Sequence, residues 1–381
     1  MTIEDPHSKN INIIKGIAII MMVYGHTFGI IRNWVYLFHM PIFFMVSGYC
    51  WNGKHAATRE AVQSYTFNRA ARLIVPYYLC EIIFTLLNNA FLKLNFYTSN
   101  PAFLQMMGQP PVSQRIISYL SPAEVIIECY RQITFQKPLP QLASAIWFLY
   151  ALCVICILHC WVVYITNKIQ RPSVRKYIWV VVFLSLCILA WAMSKGYGEQ
   201  SVALRHRQLF AGYLCYLTGT IARKEQVRFK FILERFPYWP VYAGISFLIL
   251  CILNRIGRIE LSTCCITNPG FLLVCFFCGW IFLYSISVII CNTYCGKAFE
   301  YTGRHTLCIV FLHHIAFKLI SALIVIKAGI PAFMIASFPI LFHVNEWVRL
   351  LYTICGVIVP LIIERIFLTV TKRNNHSSII S

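Results

Sequence analysis

Apolar residues along this chain gather into runs of roughly 20, separated by short polar or basic connections, which is the length that crosses a bilayer as a single helix. The first two runs lie between Asn10 and Lys54, on either side of Arg32-Asn33-Trp34. Eight more read as Leu73 to Leu94, Leu142 to Thr166, Tyr177 to Met193, Gln208 to Ala222, Pro237 to Leu253, Pro269 to Cys291, His305 to Ile326 and Trp347 to Val370, with the Gln208 run the shortest. The pattern predicts an all-α polytopic membrane helix bundle of about ten transmembrane helices. The run from Ile11 has no small-residue cleavage site before the next run, so it reads as a retained span and not as a signal peptide.

An even number of spans puts both termini on one side. The terminal tails and the even-numbered connections carry more Lys and Arg than the odd-numbered ones, which predicts that both termini are cytoplasmic. The longest connection, Asn95 to Gln141, then lies outside, in part along the membrane surface, and Gln109-Pro110-Pro111 breaks it with a turn. With no internal repeat, low-complexity stretch or soluble second domain, the chain reads as one membrane domain over 1–372 and a short cytoplasmic tail over 373–381.

Composition narrows the classes further. Across 381 residues, 59% are hydrophobic, 12% are charged and the mean hydropathy is +0.67, values that exclude a soluble globular chain. A formal charge of +20 suggests nucleic acid, but the charges sit between apolar runs, so they read as membrane topology and contact with lipid, with no nucleic-acid partner. Most of the 17 cysteines fall inside apolar runs and read as small hydrophobes. Cys264 and Cys265 fall in a predicted external loop, where a bridge to another cysteine stays open.

The candidate chemistry begins with ionisable groups inside the spans, which are costly in lipid and so point to function. Lys15 and His26 are eleven residues apart, hence on one helix face and separated by about 16 Å of rise. Imidazole can take a proton from an attacking hydroxyl and return it within one turnover. Gly25 and Gly29 flank His26 and permit close approach of a helix or a substrate. His39 precedes Pro41, where a kink is expected; it would orient His26, bind an acceptor or cap the kink. Ser47 with Gly48 reads as tight helix packing. Arg69 and Arg72, three apart at a membrane boundary, suit bidentate binding of phosphate or simple topological anchoring. Glu81 reads as an interhelical partner, Glu364-Arg365 as a snorkelling pair and Arg205-His206-Arg207 as a solvated external cluster. Cys153, Cys156, Cys160 and His159 crowd one helix, but one helix alone does not surround a metal, and no metal is expected.

Several of these stretches together resemble the acyltransferase 3 family of integral membrane O-acyltransferases. Lys15 and His26 with ten residues between them match its first span, Phe38 to Gly48 (FHMPIFFMVSG) its second, and Arg69-x-x-Arg72 followed by Pro76-Tyr77 its next motif. Weaker likenesses are Ile146-Trp147-Phe148-Leu149 and the run from Thr302 to Leu307 leading to His313-His314. Lys15 stands where the family usually has arginine, and Thr306 where it has serine. The resemblance implies a catalytic His26 served by Lys15 and His39, and an acyl-CoA donor, most simply acetyl-CoA, held by Arg69 and Arg72. It also implies a glycan or lipid-linked sugar acceptor, and residence in a bacterial cytoplasmic (inner) membrane. The contrasting expectation, from the spans and interior polar groups alone, is a transporter or flippase for such a glycan.

Overall fold

The computed structural model describes residues 6–107, 114–195, 204–235 and 237–377 and is 80% helical. The predicted Gln109-Pro110-Pro111 turn lies outside the described residues. The first apolar stretch folds as α1 (Pro6–His26), α2 (Arg32–Tyr36) and α3 (His39–Tyr49). Next come the amphipathic α4 (Arg59–Arg69), a π-helical stretch (Ala70–Ile74), α5 (Val75–Leu86), α6 (Asn88–Lys93), α7 (Ala102–Met107) and α8 (Pro122–Ile133). Long helices make up the rest: α9 (Trp147–Asn167), α10 (Pro172–Lys195), α11 (Leu204–Arg235), α12 (Trp239–Ile256), α13 (Pro269–Ile290), α15 (Thr306–Ala328) and α16 (Glu346–Ser377), with the shorter α14 (Tyr294–Arg304) before α15. Between α12 and α13 a two-stranded antiparallel hairpin, β1 (Ile259–Glu260) and β2 (Cys265–Ile266), pairs Ile259 with Ile266 and Glu260 with Cys265.

Six helical segments among the described residues are long and apolar enough to cross a membrane: Gln141–Asn167, Pro172–Lys195, Trp239–Ile256, Pro269–Ile290, Thr306–Ala328 and Glu346–Thr371. They coincide with six of the predicted spans. The remaining four fall on broken or more polar helices. The Leu73 to Leu94 run is interrupted at Leu87, because Asn88 and Asn89 turn aside: Asn88 Nδ2 donates to Ser118 O at 3.0 Å, while Asn89 exchanges bonds with the Leu120 carbonyl and amide at 2.7 and 2.9 Å. The Gln208 to Ala222 run is the first half of the 32-residue α11.

The expected break at Arg32-Asn33-Trp34 is instead the helical α2, and the chain turns on either side of it. Pro41 stands in the first turn of α3, where its missing amide has no bond to lose, so it starts a helix and kinks none.

The helices pack as close pairs: α1 on α14, α3 on α11, α12 on α13 and α15 on α16. Glycine sets the spacing of the first two pairs. A methyl group at Gly16 would overlap the Phe299 carbonyl and one at Gly303 the Asn12 carbonyl, so backbone lies directly on backbone. Gly48 on the Tyr216 carbonyl and Gly219 on Met45 do the same for α3 and α11. Gly25 and Gly29 do not form a shared helix face, since α1 ends at His26; they lie under the Tyr36 and Tyr24 rings.

Candidate active site

The turn that follows α1 fixes the orientation of His26. Thr27 Oγ1 donates to the Tyr24 carbonyl at 2.7 Å, and Phe28 adopts a left-handed conformation with φ 55°. That backbone is held from outside by the start of α16. Glu346 accepts from Tyr24 Oη and from the Ile30 amide, both at 3.0 Å, and Arg349 donates to the Phe28 carbonyl at 2.5 Å. One acidic and one basic side chain, distant in sequence, thereby pair backbone groups of the turn.

His26 meets two histidines of α15. Its ring centroid lies 5.2 Å from that of His313 and 4.9 Å from that of His314, and ring nitrogens of all three fall within 4.8 Å of one another. His313 Nδ1 lies 2.8 Å from the Ile309 carbonyl. A carbonyl only accepts, so Nδ1 carries the proton and the neutral ring presents a lone pair at Nε2. That Nε2 is buried and has no partner among the described residues. His314 Nε2 lies 3.4 Å from Ser144 Oγ, and its Nδ1 is likewise buried and unpartnered among them. One turn further along α15, the fully buried Lys318 donates to the carbonyls of Ile335 at 3.1 Å and Ser337 at 2.6 Å.

His26 stands between two cavities. The first, about 240 Å³, runs from Lys15, Ser47 and Leu73 past Met22 to His26 and His39. The second, about 210 Å³, opens on the other side of His26 among Phe28, Arg32, Arg115, Ser144, Gln208 and Phe338. Tyr36, Ala145, Trp147, Glu260 and Ser262 line both, so the β1–β2 hairpin forms part of each wall.

Among the residues singled out from sequence, Lys15, His26 and His39 therefore share one cavity. His39 Nδ1 lies 3.0 Å from the Val35 carbonyl, with its ring 4.8 Å from that of Tyr36. Arg69 and Arg72 lie outside that lining and are not presented alike: Arg69 is half-buried with its Cζ 5.1 Å from the centre of the Tyr65 ring, whereas Arg72 is exposed. The π-helical stretch from Ala70 to Ile74 has a wider repeat than an α-helix, so residues three apart no longer stack on one face. Ser47 lines the cavity, with Gly48 packed on α11.

The remaining candidates have local partners. Glu81 accepts from Tyr77 Oη at 3.1 Å, and Glu364 meets His305 Nδ1 at 3.1 Å. His206 Nδ1 lies 3.5 Å from Tyr150 Oη. His159 is enclosed by the rings of Trp51, Tyr216 and Trp179, at 4.7, 5.1 and 5.5 Å, and Cys160 donates to the His55 carbonyl. All 17 cysteines are free, Cys264 buried and Cys265 exposed.

Lys318, Ser144, Gln208, Glu260 and Glu346 were not singled out from sequence. Lys318 had a readable signal, an ionisable residue four positions after His314 inside an apolar run. The other four are ordinary loop or helix-end residues until the fold brings them to His26 and its turn.

Fold and site together define an integral membrane helical protein in which His26 lines two cavities and lies against two histidines of α15. A family model described as an acyltransferase domain matches residues 8–365, nearly the whole chain. The chain belongs to the acyltransferase 3 family and is a membrane acyltransferase. No curated protein matches it in sequence.

Proposed function

We propose that this chain moves an acyl group, most simply acetyl, from acyl-CoA to a hydroxyl of a cell-surface or lipid-linked glycan, in a bacterial cytoplasmic (inner) membrane. One observation carries this reading: His26 sits where two cavities meet, so a donor and an acceptor can reach the same imidazole from different sides. Membership in an acyltransferase family favours it over a carrier. Ten crossings with both termini cytoplasmic would turn the Lys15 end of the first cavity inward and the hairpin outward, consistent with the excess of Lys and Arg on that side.

In this reading Arg69 and Arg72 attract the phosphates of the donor at the inner surface, and the thioester threads past Lys15. The acceptor hydroxyl gives its proton to His26 as its oxygen attacks the thioester carbonyl carbon. The tetrahedral intermediate then collapses, the carbon–sulfur bond breaks, and His26 returns the proton to the departing thiolate, leaving free CoA and a glycan ester. His313 acts as the orienting group: with Nδ1–H directed at Ile309, its Nε2 can accept an N–H from His26 and leave the other His26 nitrogen as base. In the tautomer in which His314 Nε2 accepts from Ser144, its Nδ1 carries the proton and serves in this reading as a donor for the oxyanion. Direct transfer needs no acyl-holding residue.

A second reading has a specific basis. Three imidazoles with nitrogens within 4.8 Å form a donor set that could close on a divalent cation at about 2.0–2.1 Å per ligand.

The test compares surface-glycan ester content by mass spectrometry in cells lacking the gene, complemented with wild type or His26→Gln at equal membrane levels. The expected result is an acyl mass increment with wild type only. Full restoration by His26→Gln would remove His26 as the base, and no increment with any form would remove the glycan acyltransferase reading. Zinc co-purifying in equal amount with wild type, together with activity lost to a chelator and regained with zinc, would favour the metal reading.

A further inference from the structure

At the end away from His26, the first cavity is lined by Lys15, Ser47 and Leu73. About one turn beyond Ser47, α3 ends at Cys50, whose side chain is exposed. The charged side chains that act on the Cys50 thiol are Lys15, Arg223 and Arg69, all cations and each from a different helix. Arg223 belongs to none of the motifs read from sequence. It reaches this end of the cavity because α11 packs closely along α3.

A tyrosine holds each arginine. The Arg223 Cζ lies 5.4 Å from the centre of the ring of Tyr49, the residue before Cys50, and the Arg69 Cζ lies 5.1 Å from that of Tyr65. A guanidinium laid over a ring keeps its N–H edge for an anion. In the π-helical stretch after Arg69, with its i→i+5 repeat, residues four apart fall nearly in line, which puts Arg69 on the side of Leu73. The carboxylates of the same helices lie elsewhere. Glu225, two positions after Arg223, falls on another side of α11, and Glu60 opens α4 more than two turns before Arg69. Glu300 of α14 pairs with Arg304, a further cation acting on Lys15. Like charges gathered at one point repel, and an anion seated among them replaces that repulsion with attraction.

We propose that Arg223 completes a phosphate seat with Lys15 and Arg69 around Cys50, and that the seat holds phosphates of acyl-CoA while the thioester arm enters the first cavity. The assignment rests on the acyl-transfer reading above. Acyl-CoA carries both parts that fit, phosphates for the cations and a long arm for a cavity of about 240 Å³ walled by Ile19, Met22, Phe43 and Leu152. An anionic lipid headgroup offers the same phosphate chemistry, so the test separates the two sources.

Cys50 reports occupancy, because a phosphate held by the three cations covers its thiol. Purified protein in phosphatidylcholine nanodiscs is treated with N-ethylmaleimide, and labelling of the Cys50 peptide is followed by mass spectrometry against acetyl-CoA concentration. Acetyl-CoA should slow the labelling saturably, and S-acetylpantetheine, which has the thioester arm without phosphates, should not. Arg223→Gln should raise the half-protective acetyl-CoA concentration about tenfold, the effect of losing one charge-assisted contact, and Arg223→Lys should recover part of it. Lys224→Gln removes the same charge one position along, where it acts on His159, and should stay within about twofold of wild type. Labelling of Cys265 at the wild-type rate shows that each variant is folded. Equal shifts in Arg223→Gln and Lys224→Gln, equal protection by S-acetylpantetheine, or no protection by acetyl-CoA overturns the seat. Nanodiscs containing phosphatidylglycerol supply the lipid arm: protection by that lipid alone, to which acetyl-CoA adds nothing, gives the seat to a headgroup and overturns the donor assignment. Arg223-dependent protection by acetyl-CoA in a protein that transfers no acyl group leaves the seat standing and removes the transferase reading.

Discussion

At the scale of single residues, the Ile309 carbonyl decides which nitrogen of His313 is free, and so decides what His313 can do for His26. His313→Ala removes the acceptor for a His26 N–H, and the acyl-transfer rate should fall by about 10² at unchanged KM for acetyl-CoA, the lower range for a disturbed acid–base partner. His313→Gln puts an amide oxygen near the position of Nε2 and should recover part of that rate. Equal losses in both variants with poor membrane yield would make His313 a packing residue. Lys15 and His26 could be placed on one cavity wall from their spacing, because α1 is an unbroken helix from Pro6 to His26. Arg69 and Arg72 could not be placed from theirs, because the π-helical stretch between them leaves no mark in residue types.

At the scale of elements, the site depends on α15, which carries both histidines and is tied to the chain after it through Lys318. In Lys318→Met the carbonyls of Ile335 and Ser337 lose their buried donor, at a cost of about 1–3 kcal/mol for each one left unpaired. A lowered melting temperature in detergent, larger than that of Lys327→Met on the exposed last turn of the same helix, is the expected outcome. The α1–α14 seam gives a second check. Gly303→Val must push the two backbones apart where residue 303 meets the Asn12 carbonyl, with an expected loss of about 3 kcal/mol, whereas Gly244→Val in α12 has open space around its Cβ and should melt near wild type. The long apolar helices were legible because a run of some 20 apolar residues has few alternatives to a helix in a bilayer. The broken ones were not: at Asn88 and Asn89 the chain follows hydrogen bonds to Ser118 and Leu120, about thirty residues away, and no local pattern announces such partners.

At the scale of the whole molecule, the proposed chemistry requires the two cavities to open on opposite sides of the membrane, and the free cysteines can report this. Cys295 is exposed in the first turn of α14, near the end of the bundle that holds Lys15, and Cys265 is exposed on the hairpin at the other end. With both termini cytoplasmic, a membrane-impermeant maleimide applied to intact spheroplasts should label Cys265 and spare Cys295, with both labelled after the membrane is opened, as read by peptide mass spectrometry. The adjacent Cys264 is an internal control. Burial pushes its thiol up to about 11, so at pH 7 to 8 it holds almost no thiolate and should stay unmodified beside its reactive neighbour. Labelling of Cys295 and not Cys265 from outside would invert the molecule. The second cavity would then face the cytoplasm along with acyl-CoA, and a transfer that begins on one side and ends on the other would lose its geometric basis even if His26 kept its role.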